Sequence, residues 1–307
     1  MSNKREKMSS GKYMISLHDW RSRVALIACI VTLFASLAMI GRGMVEYTTG
    51  GTDARVLFHY FTVNSNFLTA IASGTIIAYA VDGIRKKRFT YPKWTALLHY
   101  SGTVCTTLTM VFAIGLISWY DPRMAFGGTN LFLHLICPLL VLIAFFLVES
   151  DNNYTVRDTL IVLIPFAIYC CFYLVEVVII GQDRGGWPDF YHFMEFVPIY
   201  VSLPAMCLLA FGIATGIRLL SNRLNAVRRQ KLTDLWPEEA SPVEIKIEVF
   251  GLGRFTGRNG DKNNISLPLD ILEMLSERYG IKLDELIRAY TKGVTEGLQD
   301  PSKRRRK

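Results

Sequence analysis

The sequence predicts an all-α polytopic membrane protein: six transmembrane helices with both termini cytoplasmic, then a small C-terminal α+β cytoplasmic appendage. Three observations predict it. Of the 307 residues 51% are hydrophobic, and they gather into blocks instead of spreading along the chain. Positive charge alternates between the segments that separate those blocks. Past Lys231 the blocks stop and the composition becomes evenly charged.

Residues 1–23 are a basic tail, too long and too charged for the n-region of a cleaved signal, so the first block reads as an uncleaved anchor. The blocks run over Val24–Ile40, Phe58–Val81, Ala96–Tyr120, Leu131–Val148, Leu160–Ile180 and Phe196–Leu220. Each reaches or approaches the roughly 20 residues that a helix needs to cross a bilayer. The domain pattern is therefore a tail at 1–23, a membrane domain at 24–220 and a cytoplasmic segment at 221–307.

Charge sets the orientation. Residues 1–23, 85–93, 149–158 and 218–231 hold seventeen Lys and Arg, against four (Arg42, Arg55, Arg123, Arg184) in the alternate loops. The positive-inside rule then puts both termini in the cytoplasm of a cell (plasma) membrane. The net charge of +8 is accounted for by anionic headgroups, so no nucleic-acid partner is expected. All six cysteines fall within the blocks, where small apolar fillers are expected and a disulfide framework is not.

In the appendage "VEIKIEVF" (243–250) alternates apolar and charged residues and reads as a strand, and "GLGRFTGRNGDKNN" reads as turn and loop. "SLPLDILEMLSERYG" reads as a helix with Ser266 near its N-cap and Gly280 past its end, and "KLDELIRAYTKGVTEGL" as a second. The glycines of "GLGRFTG" run G-x-G-x-x-x-G with no helix opening at once, so the dinucleotide fingerprint is not met.

Reactive side chains gather near the outer interface. "HYFTVNSNF" (59–67) leads the second block, with Thr62 near its outer end; His134 opens the fourth and Glu176 closes the fifth. At 1.5 Å per residue all three lie on the order of 6–9 Å below that interface. Each has an ordinary reading. Thr62 bonds back to its own helix, the asparagines and Ser65 cap a helix start, His134 is a satisfied structural group, and Glu176 pairs with Arg42, Arg123 or Arg184. An ionisable residue inside a span is nonetheless a functional candidate by default. Asn130 and His134, and Thr62 and Asn66, stand four apart on one helix face. Pro138, four beyond His134, loosens that helix.

Six spans, "YFTVNSN" ahead of the second and "NLFLHLICP" in the fourth are similar to the androgen-induced gene family of six-span membrane proteins and its bacterial relatives. The resemblance covers roughly residues 20–220 and takes in "GGWPDFY" (185–191) before the sixth span. Human members hydrolyse fatty acid esters of hydroxy fatty acids through a membrane-embedded threonine and a histidine. The resemblance implies that Thr62 is the nucleophile, His134 the base and a membrane-borne fatty-acid ester the substrate, with no cofactor. Asn66, Ser65 or helix-start N–H groups would then hold the oxyanion, and Asn130 or Glu176 would orient His134.

Two other classes stay open. His59, His134 and His192 with Asp189, Glu195 and Glu176 supply enough ligands for a zinc hydrolase, without the paired spacing of a helical zinc motif. A transport, lipid-binding or sensing protein is the non-enzymatic alternative, although transport needs polar groups carried through the midplane. No lysine lies within a span, which excludes a retinal-type Schiff base.

Overall fold

The computed structural model describes residues 12–14, 20–86, 90–148, 153–191, 193, 197–233, 241–259 and 269–299. It divides into two compact units, residues 1–225 and 226–307.

In the first unit the hydrophobic blocks become long helices: α1 (Trp20–Thr49), α2 (Phe61–Lys86) and α3 (Lys93–Phe112). After them come the short α4 (Pro122–Phe126), then α5 (Cys137–Val148), α6 (Val156–Val162), α7 (Ile164–Tyr173) and α8 (Ile199–Thr233). Among the described residues five stretches are long and apolar enough to cross a membrane: Arg23–Thr49, Lys93–Ile117, Thr129–Leu147, Val156–Ile180 and Ile199–Val227. The chain is a multi-pass membrane protein. Large apolar side chains on the outer faces, Ile27, Phe34, Leu160, Phe172 and Leu208 among them, are exposed as lipid-facing residues are.

The second predicted block is a helix, α2, but it is not among those five. Its polarity lies on a buried face: Ser65, Asn66, Thr69 and Ser73 are all buried, and α2 packs against both α1 and α3. Its neighbour α3 is buried along most of its length and rich in threonine. Part of this polarity is satisfied without water by hydroxyls that bond back one turn: Thr69 to Ser65 O (2.9 Å), Thr103 to His99 O (2.8 Å) and Thr106 to Gly102 O (2.8 Å). The hydroxyls of Ser73, Thr95 and Thr107, by contrast, have no partner among the described residues. A Cβ on Gly102 would press on Thr69, so glycine there lets α2 and α3 approach closely.

At the end of the bundle where α2 finishes, β2 (Thr90–Pro92) pairs antiparallel with β1 (Lys12–Met14). This end is tightly tied. Lys93 Nζ lies 2.7 Å from Asp158 Oδ1, whose carboxylate also joins a capping box with Thr155 at the start of α6. Tyr154 and Asn222 exchange two hydrogen bonds of 2.9 Å. Ser101 donates to Val162 O (2.7 Å) and Tyr100 to Ala214 O (2.5 Å). All six cysteines are free, with Cys29, Cys105 and Cys137 buried as small core residues.

The second unit corrects the α+β expectation. The described residues of the appendage are helical: α9 (Pro242–Asn259), α10 (Leu269–Tyr279) and α11 (Leu283–Gln299). "VEIKIEVF" lies in α9, which buries Ile245 and Val249, one turn apart, and exposes Val243 and Ile247. Four alternating positions fit either period, and the deciding signal is the preceding "SPVE". Ser241 N donates to Glu244 Oε2 (2.7 Å) and Glu244 N to Ser241 Oγ (3.3 Å), a capping box with proline at the first helical position. Residues 251–259 of the predicted loop continue that helix, while Ser266 lies outside the described residues. Gly280, in the left-handed region at φ +65°, follows α10 as expected. Gly253 and Gly293 face opposite backbones, so that α9 and α11 touch without side chains between them.

Candidate active site

The other end of the first unit is irregular. Three helices widen there into π turns: Ala113–Ile117 after α3, Phe132–Ile136 before α5, and Leu174–Ile180 after α7. In the second of these Cys137 N donates to Phe132 O, five residues back. Pro138 explains it, because a proline has no N–H for the carbonyl of His134 and its ring crowds that carbonyl. The widened turn carries His134 itself.

Thr62 sits in the first turn of α2, reached through a short 3₁₀ helix, Ala54–His59. Its Oγ1 lies 3.3 Å from Nε2 of His134. The other ring nitrogen, Nδ1, lies 2.7 Å from Ala125 O. A carbonyl only accepts, so Nδ1 carries the proton and Nε2 faces the threonine with its lone pair. The carbonyl is aimed by α4. Asp121 caps this helix through Arg123 N (2.8 Å) and Met124 N (3.1 Å). At Gly128 (φ +54°) the backbone then takes a left-handed turn that leads back into the helix bearing His134.

The pair lines a cavity of about 700 Å³, formed by the ends of α1 and α3, the start of α2, the segment 124–134, α7, Phe190, Tyr191, Phe193 and the start of α8. Its walls are mostly apolar, Met39, Phe112, Leu116, Phe166, Leu203 and Met206 among them. A mostly apolar space with a few convergent polar groups on its wall is the usual form of a small-molecule site.

The remaining predicted residues take other places. Asn66 is fully buried; its Nδ2 donates to Thr62 O (2.8 Å) and to Leu133 O (2.9 Å). It clamps the turn of Thr62 to the turn before His134, and both of its N–H groups are committed. Asn130 does not orient His134, as its Nδ2 donates to Met124 O (2.8 Å); Ala125 O does so instead. Ser65 Oγ bonds to Thr62 O (3.0 Å) and meets Thr109 Oγ1 at 3.1 Å. Glu176 lies in a π turn and does not line the cavity. Its charge acts on His59, and no ion pair joins it to Arg42, Arg123 or Arg184; Arg42 instead pairs with Glu46 at 2.7 Å. His59 stacks on Trp187, with centroids 4.2 Å apart and planes at 15°. Burial lowers its pKa, opposed by the charges of Glu176 and Asp53.

Among the described residues no three His, Cys, Asp or Glu side chains come together to hold a metal. His192 and Glu195 lie outside those residues. Asp189 accepts from Tyr173 Oη and from Phe193 N (3.1 Å).

Sequence reasoning missed the tyrosines. Tyr191 Oη accepts from Phe61 N at 2.8 Å and sits against Thr62, and Tyr169 donates to His59 O at 2.8 Å. Tyr191 closes the "GGWPDFY" stretch, where an aromatic run after a glycine pair marks an ordered loop but not which ring turns inward. No protein-family model, curated protein or solved structure matches the chain.

Proposed function

We propose that the chain is a six-span intramembrane hydrolase of lipid esters, of the kind met in the androgen-induced gene family, with Thr62 as nucleophile and His134 as base. The observation that carries this reading is the Thr62 Oγ1 to His134 Nε2 contact of 3.3 Å on the wall of an apolar cavity. Six crossings are supported by α2, which starts at the cavity and finishes beside β2 at the tied end, a distance of about 39 Å for its 26 residues. The charge bias then sets both termini in the cytoplasm and the cavity in the outer leaflet of the cell membrane.

In this mechanism an ester enters from the bilayer and brings its carbonyl to Thr62. His134 Nε2 takes the hydroxyl proton as Oγ1 attacks, and the imidazolium returns that proton to the departing alcohol. Water then cleaves the acyl-threonine by the same route. Ala125 O holds the ring in the productive tautomer, although a neutral carbonyl stabilises the imidazolium less than a carboxylate does.

The test is labelling of the purified protein by a fluorophosphonate probe. Thr62→Ala and His134→Ala should each lower labelling by at least about 100-fold while leaving membrane insertion intact. Labelling that persists in Thr62→Ala removes the threonine from the mechanism.

A further inference from the structure

An ester carbonyl attacked by Thr62 develops negative charge on its oxygen, and that oxygen needs donors about 2.7–3.1 Å away. Most of the nearby donors are already committed. Both N–H groups of Asn66 are engaged, and those of Asn64 bond to Phe58 O (2.6 Å) and Tyr60 O (3.0 Å). The backbone N–H groups of Val63 and Asn64 both bond to Tyr60 O at 3.2 Å. Ser65 is turned back to Thr62 O. Tyr191 differs: it lines the cavity beside Thr62, and its oxygen accepts from Phe61 N, which leaves its own proton to be donated.

We infer that Tyr191 is the oxyanion donor of this site, a role that rests on the threonine reading above. Its ring is held by the surrounding aromatics, with Phe193 stacked at 5.3 Å and Phe190 edge-on at 4.8 Å. Tyr169 Oη, whose proton goes to His59 O, lies beside the Tyr191 hydroxyl and does not compete for the proton of Tyr191. When substrate arrives that proton turns toward the carbonyl oxygen. Thr62 Oγ1 bonds to the carbonyl carbon, the C=O π pair moves to oxygen, and Tyr191 hydrogen-bonds the resulting anion without losing its proton. On collapse the ester C–O bond breaks, and the alcohol leaves with the proton held by His134. Burial pushes the Tyr191 hydroxyl up to about 12, against hydrogen bonds with Tyr169, Phe61 and Thr62 that lower it, so it keeps its proton throughout the working range.

The experiment uses the full chain in lipid nanodiscs with p-nitrophenyl octanoate as probe. Tyr191→Phe is expected to lower kcat by about 100-fold or more with KM nearly unchanged. Because that variant also removes an acceptor from Phe61 N, a second variant carries 2,3,5-trifluorotyrosine at position 191, which keeps the shape and makes the phenol more acidic. Wild type should hold its kcat to about pH 10, and the fluorinated protein should lose it at lower pH, where its phenol ionises. A purely structural tyrosine would leave that profile in place. Tyr191→Phe with kcat within about threefold of wild type, or an unmoved alkaline limb, overturns the oxyanion role. Hydrolysis that is unaffected by Thr62→Ala overturns the threonine reading as well, so the two failures are distinct.

Discussion

The two ends of the first unit solve opposite problems with the same helices. At the tied end a half-exposed lysine meets a buried aspartate, a capping box starts α6, and Tyr154 and Asn222 bond reciprocally. At the cavity end the same helices widen into π turns, a glycine pair bends the chain, and about 700 Å³ is left open. The closed end supplies the stability that the open end forgoes. Local irregularity of this kind survives only where the surroundings hold it in place.

That contrast breaks most sharply when the cavity is filled. Met206→Trp sets a large ring into the open space and should cut ester hydrolysis by roughly 100-fold through lost substrate placement, while the melting temperature holds or rises. Hydrolysis assayed beside thermal unfolding would show whether the two ends separate. Next in size is Asp158→Ala, which leaves Lys93 unpaired and removes the acceptor for Thr155. It should cost about 1–2 kcal/mol of stability, mostly the lost cap, because the half-exposed Lys93 regains water, with unchanged turnover per folded molecule. A loss of turnover without a loss of stability would show that the tied end also serves the site.

The smallest effect concerns His59. Its folded pKa lies below the ordinary 6.5, so the folded state binds fewer protons than the unfolded one near pH 6. Stability from this residue is present above the ordinary value and is lost as pH falls through and below it. Trp187 emission should therefore shift between about pH 7 and pH 5, by an amount that His59→Gln removes.

Much of this was legible from residue types and spacing. The helical blocks could be read because lipid demands long apolar runs. Counting residues put Thr62, His134 and also Glu176 at one depth, and only the family resemblance singled out the first two, while Glu176 does not line the cavity. Pro138 announced the distortion at His134. Legibility failed where partners are backbone atoms. Nothing in spacing marks Ala125 O as the group that orients His134, and Asn130, correctly placed on the same helix face, turns to Met124 O instead. The reach of Tyr191 across 130 positions to Phe61 N is likewise a product of folding. The strand expected at 243–250 failed for another reason: four alternating residues satisfy two periods, and the capping box at Ser241 was the stronger signal.

A π turn holds one residue more than the α-helix it interrupts. Every side chain on its far side is therefore rotated by about 100° relative to the packed side. Removing Leu135, with Pro138 replaced by alanine, would erase that offset and swing the imidazole away from the threonine, although the chain would keep its polarity and its span. The approach of His134 to Thr62 is stored as a miscount of one residue in the helix.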